Sequence, residues 1–590
     1  MKTNFKINNF ESQIKDSIKK NKITIISTPT GSGKTMAVPY WAYQISQQKV
    51  FCLVPRVVMA RQAAKGAAKL VWGNPIEVGY MTGRGNKHGR KVVYATEGSY
   101  ITREIGIKAP AGSVLCIDEV HEQGAMTEAT MFLAKQWIQS GLKLVILSAT
   151  MDCEKYANFY SEFSVGVVDM PDSERPYQLE FQNIDNPVKA CVEAAQNGGR
   201  VLIGVQGKAN IDGVIGQIEK LDKNIRTFGF HAEIENEDQD AAISYQGPAI
   251  YVATNVLQSG VTIPNLTHGY FNGIGKQIEN VAGVGKLKEY LLSEAEMTQW
   301  YGRIGRNCDG VIFQTEWEKN IKRDKMPKAE IQMIPLEDVT LQFAQYGIDI
   351  SKAELLNKPS EKSTNAAVKS LTQLKLFKEG KLTSFGQDVI KEGAGVRGSI
   401  LIHIGKKLGI ENTMRKIQAI DYIGHPFRNT SANFFTGLDK EYGYSDYMIW
   451  LKAIENIIFE YGYKVSNLDY PLFKEKMEKA DVFRRNLTKI MKAFEAIDET
   501  CQDTAFSHKK VKVALYMANL DRIVVNRYCE SKAMYVDTSF KSVVDTKDVY
   551  FGNIVSIGKT FVEGVTTISE KEKEDFDILL GFKKVETQEA

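Results

Sequence analysis

The octapeptide Thr28-Pro-Thr-Gly-Ser-Gly-Lys34-Thr35 constrains the fold of this chain more than any other stretch. It follows an apolar run, Ile23-Thr-Ile-Ile26, and opens a helix-compatible segment. Strand, glycine-rich turn and helix N-terminus therefore occur in that order. Backbone N–H groups of such a turn converge on phosphate oxygens, and the helix dipole adds to the attraction. In that geometry Thr30, Gly31, Ser32 and Gly33 line the turn and Lys34 reaches the terminal phosphates, while the Thr35 hydroxyl reaches a magnesium ion. The usual first residue of such a loop is Gly. Thr28 stands there instead and leaves the phosphate-facing groups in place.

A second fragment, Asp118-Glu-Val-His121, ends another apolar run, Val114-Leu-Cys-Ile117. Four apolar residues directly before it place it at the carboxyl end of a buried parallel strand, the edge where open α/β sheets bind ligands. There Asp118 can hold the metal from the other side and Glu119 can position an attacking water. A Gly-Ser-Gly-Lys turn alone can be only a turn, and an Asp-Glu pair alone only a solvated loop. In this order, and in these contexts, the two predict a nucleoside triphosphatase using ATP or another nucleoside triphosphate with Mg²⁺. His121 has no Cys or second His at ligand spacing nearby and does not read as a metal ligand.

Short β-rich runs recur at Val50–Val54, Val92–Tyr94 and Leu144–Leu147, separated by helix-compatible stretches such as Val57–Leu70 and Thr127–Gln139. Such alternation predicts a parallel sheet with helices on both faces. The strands end in polar signatures that include Arg56, Thr96 and Thr150, all at the edge that carries the phosphate loop. Hydroxyls and helix N-termini there suit nucleic-acid phosphates. A second, similar unit follows. Val201–Val205 ends at Gln206-Gly-Lys208, and Ala249–Ala253 ends at Thr254-Asn255. It is followed by Gln299-Trp-Tyr-Gly-Arg303-Ile-Gly-Arg306, read as a helix with both arginines on one face. Supplied from a second domain, they can act on the γ-phosphate held by the first. The bland alternative is a basic helix face.

Composition bounds the remaining possibilities. At 590 residues the chain predicts about three to five domains. Lys plus Arg is 75 against 71 acidic residues, so the formal charge of +4 does not itself argue for nucleic acid. The seven Cys are scattered and form no CxxC pair, which favours a reducing compartment without disulfides or zinc. No signal h-region opens the chain and no apolar run approaches the roughly 20 residues of a membrane helix. A soluble, cytoplasmic protein is the expectation.

The succession TPTGSGKT, VPR, TEG, DEVH, SATMD, TN…SGVTIP and QWYGRIGR resembles the DEAH/RHA-type helicases of superfamily 2. The resemblance implies two tandem RecA-like parallel-sheet domains, at 1–164 and 165–325, in an α/β fold. It further implies a winged helix at 326–395, a helical ratchet-like domain at 396–508 and an OB-fold-like domain at 509–590. Lys381-Leu-Thr-Ser-Phe-Gly386 resembles the turn that closes the winged helix, and Pro426-Phe427 resembles a ratchet motif. Val511–Val565 reads as short strands, and Gly273–Leu292 stands where the family carries a strand-separating hairpin.

The resemblance assigns catalytic roles to Lys34, Asp118, Glu119, Gln299, Arg303 and Arg306, and metal binding to Thr35 and Asp118. It makes Arg56, Thr96, Thr150 and Thr254 contacts to nucleic acid. It implies an ATP-dependent, 3′-to-5′ helicase, a monomer acting on single-stranded RNA and not on membranes. A translocase that strips proteins from RNA or DNA is the alternative within the same class, and an ATP-locked nucleic-acid clamp or adaptor the alternative outside it. No glutamine-based adenine reader precedes the phosphate loop, which fits a family tolerant of any base. Two segments depart from the family pattern: Leu257-Gln-Ser-Gly-Val-Thr-Ile, and Val78-Gly-Tyr-Met-Thr-Gly-Arg84, which displaces the family's arginine.

Overall fold

A computed structural model describes residues 5–580 except 30, 84, 104–110, 150, 171–176, 232–235, 259–262, 282–283, 425–426, 428–436, 443–444, 464–479, 526–534, 537–548 and 558. Two compact units result. One comprises residues 1–279, 287–334 and 354–359, and the remainder forms the other.

The first unit holds two parallel sheets. The N-terminal sheet contains β1 (Ile23–Ser27), β2 (Val50–Leu53), β3 (Val78–Thr82), β4 (Gly85–Lys87), β5 (Val92–Ala95), β6 (Val114–Ile117), β7 (Lys143–Ser148) and β8 (Val165–Asp169). Their spatial order is β4-β3-β5-β2-β6-β7-β1-β8, and only β4 runs antiparallel to its neighbour. The central strands β5, β2 and β6 carry no charged residue and are mostly buried, because helices cover both faces. Ile26, Val38, Trp41, Cys52 and Val145 pack on one face, and Ile25, Leu53, Ile117, Met131 and Ile146 on the other. Val165–Asp169, expected to open the second domain, instead pairs with β1 from Ile23↔Val165 to Ser27↔Asp169. The boundary expected at 164/165 therefore moves past Asp169. The apolar Val165, Val167 and Val168 fit a strand closing the exposed side of β1.

The second sheet contains β9 (Leu179–Asn183), β10 (Arg200–Gly204), β11 (Thr227–Phe230), β12 (Ala249–Ala253), β13 (His268–Phe271) and, after a hairpin, β16 (Gly310–Gln314). Its order is β11-β12-β10-β13-β16-β9, parallel throughout. The hairpin strands are β14 (Ile274–Val281) and β15 (Val284–Leu291). Lys276–Glu289 and Lys288–Glu279 ion pairs cross between them. Arg323 closes the base by donating to the carbonyls of Gly273 and Leu292, both at 2.8 Å. The stretch that stands where the family carries a hairpin thus forms one, and a distant arginine supplies the clamp.

In the second unit, helices Glu337–Gln345, Glu361–Gln373 and Ser384–Ile390 surround a two-stranded ribbon, Phe377–Lys378 against Lys381–Leu382. Thr383 caps the last of these helices by accepting from the Gly386 N–H at 3.0 Å. Helices Gly395–Leu408, Glu411–Ile423, Asp446–Tyr461, Ala480–Thr500 and His508–Met517 follow. Leu371, Ile400, Ile417, Leu451, Phe494, Leu515 and Phe576 share one core, so the segments read as three separate domains pack around common apolar contacts. Arg397 and Asp521 form a two-pronged ion pair at 2.9 and 2.6 Å, and Ser370 donates to the same carboxylate. Residues 511–517, at the start of the stretch read as short strands, instead belong to the helix His508–Met517, whose Val511, Val513, Ala514 and Leu515 enter this core. Strands follow at Ile523–Val525, Val549–Ile557 and Lys559–Ile568 in antiparallel pairs. Phe427 is buried, and its neighbour Pro426 lies outside the described residues. Among the described residues no helix is long and apolar enough to cross a membrane.

Candidate active site

The helix Lys34–Ser46 starts directly after Gly33, which sits at φ +91°. A β-carbon there would lie 2.5 Å from the Phe5 ring, so conformation and close approach both demand glycine. Gly31, at φ +78°, shares the left-handed region. The hydroxyls of Thr28 and Ser32 lie 3.0 Å apart, and the Thr28 N–H donates to the Ser148 carbonyl at 2.9 Å. The residue that departs from the usual loop is therefore a buried brace across its base. Thr30 lies outside the described residues.

β7 separates β1 from β6, so the loops after β1 and β6 open on the same edge two strands apart. Lys34 Nζ bridges that gap to both oxygens of Glu119, at 3.2 and 3.3 Å. The Thr35 hydroxyl donates to Asp118 Oδ2 at 2.5 Å, and the Glu119 N–H donates to Asp118 Oδ1 at 2.9 Å. A hydroxyl and a carboxylate oxygen side by side make a hard-oxygen donor pair, the chemistry that Mg²⁺ takes. Glu119 holds φ at +58°, in the left-handed region that a non-glycine residue enters at a cost. That turn presents its carboxylate beside Lys34. His121 Nδ1 lies 3.0 Å from the Ser148 hydroxyl and 3.3 Å from Glu119, tying the end of β7 to the end of β6.

The electrostatics follow from this packing. Burial and the neighbouring Glu119 push the Asp118 carboxyl up to about 7, against Lys34 and the Thr35 hydroxyl. Burial also disfavours the charged form of Glu119. Lys34, then His121 and Arg303, outweigh it and hold that carboxyl below its ordinary range. For Lys34, burial is again opposed and outweighed, here by Glu119 and Asp118, so the ammonium is held charged.

Arg303 belongs to the second sheet's domain. The helix Glu294–Tyr301 is started by a capping box between Ser293 and Glu296. It ends before both arginines, correcting their placement on one helix face: they occupy the turn that follows. Gly305 in that turn sits at φ +65°, which a side chain would strain. Arg303 donates through Nε, at 3.1 Å, and through Nη2 to the carbonyl of Gln258. Arg306 Nε donates to the Gly302 carbonyl at 2.9 Å. Burial and then Arg306 depress the Arg303 guanidinium to about 9, while Glu119 acts the other way. Lys34, Thr35, Asp118, Glu119, Arg303 and Arg306 thus form one electrostatic cluster. Gln299 stands half-buried in the last turn of the preceding helix.

Three other expected residues lie at or just after strand ends. Arg56, at the N-cap of helix Val57–Ala67, pairs with Glu122 at 3.1 Å. Thr96 directly follows β5, and its hydroxyl donates to Ser99 at 2.9 Å. Thr254 directly follows β12 and stands at the N-cap position of the short turn Asn255–Leu257, without a side-chain cap hydrogen bond. Thr150 lies outside the described residues. Sequence reasoning missed Gln258, whose carbonyl orients Arg303; its only signal was that it lies in a segment that departs from the family. It also missed Glu97, a buried carboxyl that accepts from Thr127 at 2.9 Å and that burial lifts to about 7.

Comparison with known proteins matches this architecture. The DEAD/DEAH box helicase model matches residues 8–159, and the helicase conserved C-terminal domain model matches residues 185–308. The pre-mRNA-splicing factor ATP-dependent RNA helicase prp22 of Schizosaccharomyces pombe is 25% identical over 448 residues. That match covers 69% of this chain and 38% of prp22, so the chain spans well under half of that relative. A crystal structure of the Escherichia coli DEAH/RHA helicase HrpB superposes with a TM-score of 0.72 at 19% identity, covering 96% of this chain and 70% of that one. Another, of the E. coli DExH-box NTPase HrpB, gives 0.74 at 18% identity, covering 98% and 70%. These two likenesses concern fold. Two parallel sheets, a phosphate loop facing Asp118-Glu119, and both model matches in that order identify residues 8–159 and 185–308 as the paired domains of a DEAD/DEAH box helicase.

Proposed function

We propose that this chain is an ATP-dependent RNA helicase that moves 3′ to 5′ along a single strand. The observation that carries this is the approach of Arg303, from the second sheet's domain, to Glu119 beside the first domain's phosphate loop. A site completed from two domains can open and close with the nucleotide, which a one-domain phosphatase site does not do.

The residues divide the work. Backbone N–H groups of the Thr30–Gly33 loop hold phosphate oxygens, with Lys34 on the terminal phosphates. Thr35 and Asp118 would hold Mg²⁺, which when bound neutralises phosphate charge. Glu119, kept ionised by Lys34, accepts the proton of the attacking water. Arg303 and Arg306 neutralise charge that develops on the phosphoryl oxygens, and Gln299 orients the same group. Arg56, Thr96, Thr150 and Thr254 grip the backbone of the RNA, and their two sets alternate as the domains close and reopen. The second unit serves as winged helix, ratchet and OB-fold-like clamp. The enzyme acts as a cytoplasmic monomer.

The name of prp22 supports an RNA substrate, and the paired Glu119 and arginines support turnover over a static clamp. The deciding experiment measures ATP hydrolysis with and without single-stranded RNA or DNA, then displacement from duplexes with 3′ or 5′ overhangs. RNA-stimulated turnover with unwinding from the 3′ overhang is expected. Stimulation without displacement would favour a protein-stripping translocase, and hydrolysis indifferent to nucleic acid would overturn the motor.

A further inference from the structure

Pro39 lies inside the helix Lys34–Ser46 that begins at the phosphate loop. A proline has no N–H, so the carbonyl four residues earlier loses its helical donor, and the ring pushes that carbonyl outward. Four residues before Pro39 is Thr35. A buried carbonyl left without a donor is costly, so the fold must answer it.

The answer comes from another strand. Tyr94, in β5, is fully buried and donates its hydroxyl to the Thr35 carbonyl at 2.9 Å. Its position is set by the sheet: Tyr94 registers with Cys52 on β2, and Cys52 registers with Cys116 on β6. The two small cysteines leave room for a phenol beneath the helix. Cys116 stands two residues before Asp118, whose Oδ2 accepts from the hydroxyl of the same Thr35 at 2.5 Å. Thr35 is therefore held twice, through its side chain by Asp118 and through its carbonyl by Tyr94.

We infer that Tyr94 is a positioning residue: its hydroxyl replaces the helical donor that Pro39 removes, and so fixes the Thr35 hydroxyl where it holds magnesium. The inference rests on the proposed ATP site but not on nucleic-acid unwinding. Tyr94→Phe keeps the ring and deletes only the donor. Pro39→Ala returns an N–H in the helix to the same carbonyl. The two changes should therefore compensate, which no general packing role of Tyr94 would produce.

The test follows binding of a fluorescent ATP analogue to the full chain against Mg²⁺ concentration, with steady-state hydrolysis alongside. Tyr94→Phe should raise the Mg²⁺ needed for half-maximal binding about tenfold, and leave Mg²⁺-independent binding unchanged. Pro39→Ala/Tyr94→Phe should return within about twofold of the original. If Tyr94→Phe does not fold, a folded, magnesium-responsive double variant still supports the inference. An unchanged Mg²⁺ requirement in Tyr94→Phe overturns it, as does a defect that Pro39→Ala leaves in place, or failure of both variants to fold. An unmodified chain that binds Mg²⁺-nucleotide without RNA-stimulated turnover would sink the helicase reading, while the Tyr94 comparison would remain readable through binding.

Discussion

Arg303→Ala is the sharpest perturbation of the two-domain site. The guanidinium is pinned by two donations to the Gln258 carbonyl and lies within electrostatic reach of Glu119, so it is pre-oriented before any substrate arrives. Removing a group that acts this way on a phosphoryl transition state costs about 10³ in rate, or about 4 kcal/mol. Arg306 shares the same field, because its charge helps depress Arg303. Groups that act on one transition state are not additive, so the double variant should be little worse than either single one. Arg303→Lys restores charge without the planar fork and cannot donate twice to Gln258, so it should recover only about a tenth of the lost activity. The assay is steady-state hydrolysis with and without single-stranded RNA, beside a nucleotide-binding titration that should change little, since Lys34 and the loop remain. Near-normal stimulated turnover in both Arg303→Ala and Arg306→Ala would refute the two-domain site.

Glu119→Gln should retain ATP binding and lose hydrolysis, because the amide keeps the shape but cannot take a proton; weak ATP binding in a titration would instead make Glu119 structural. RNA affinity should fall with salt at a log–log slope of about −0.7 per phosphate contacted, and should depend little on base identity; filter binding across a salt series reads both, and a flat, sequence-specific profile contradicts backbone grip. Glu97 sets a pH dependence of stability. Burial raises its carboxyl from 4.5 to about 7, the Thr127 hydroxyl opposing, so the folded chain holds a proton that the unfolded chain has released. Stability from this group is complete below pH 4.5 and is lost as pH rises through 7, by about 3 kcal/mol. Glu97→Gln should flatten that fall in thermal midpoints measured at pH 5 and pH 8, and an identical slope in both proteins would show that Glu97 is not its source.

The parallel-sheet architecture and the nucleotide end of the site were legible in the residues alone. Strand–glycine turn–helix is a local pattern, and Gly31 and Gly33 allow the positive φ that the turn requires. An Asp-Glu pair after four apolar residues likewise carries its own context. These features depend on neighbours a few positions away, so the sequence by itself determined them. Tertiary structure decided whatever depends on partners far along the chain. Val165–Asp169 joins the first sheet because β1 has an open side, a fact of strand order that apolar periodicity does not encode. His508–Met517 is helical because a shared core takes its apolar side, against a β-rich composition. The helix before Arg303 stops short, and the turn at Gly302–Arg306 brings the guanidinium onto the Gln258 carbonyl and within electrostatic reach of Glu119, residues 45 and 184 positions earlier. The Thr35 carbonyl shows the division most clearly. Pro39 announces in the sequence that a donor is missing, and only the folding of β5 beneath the helix reveals that Tyr94 supplies it.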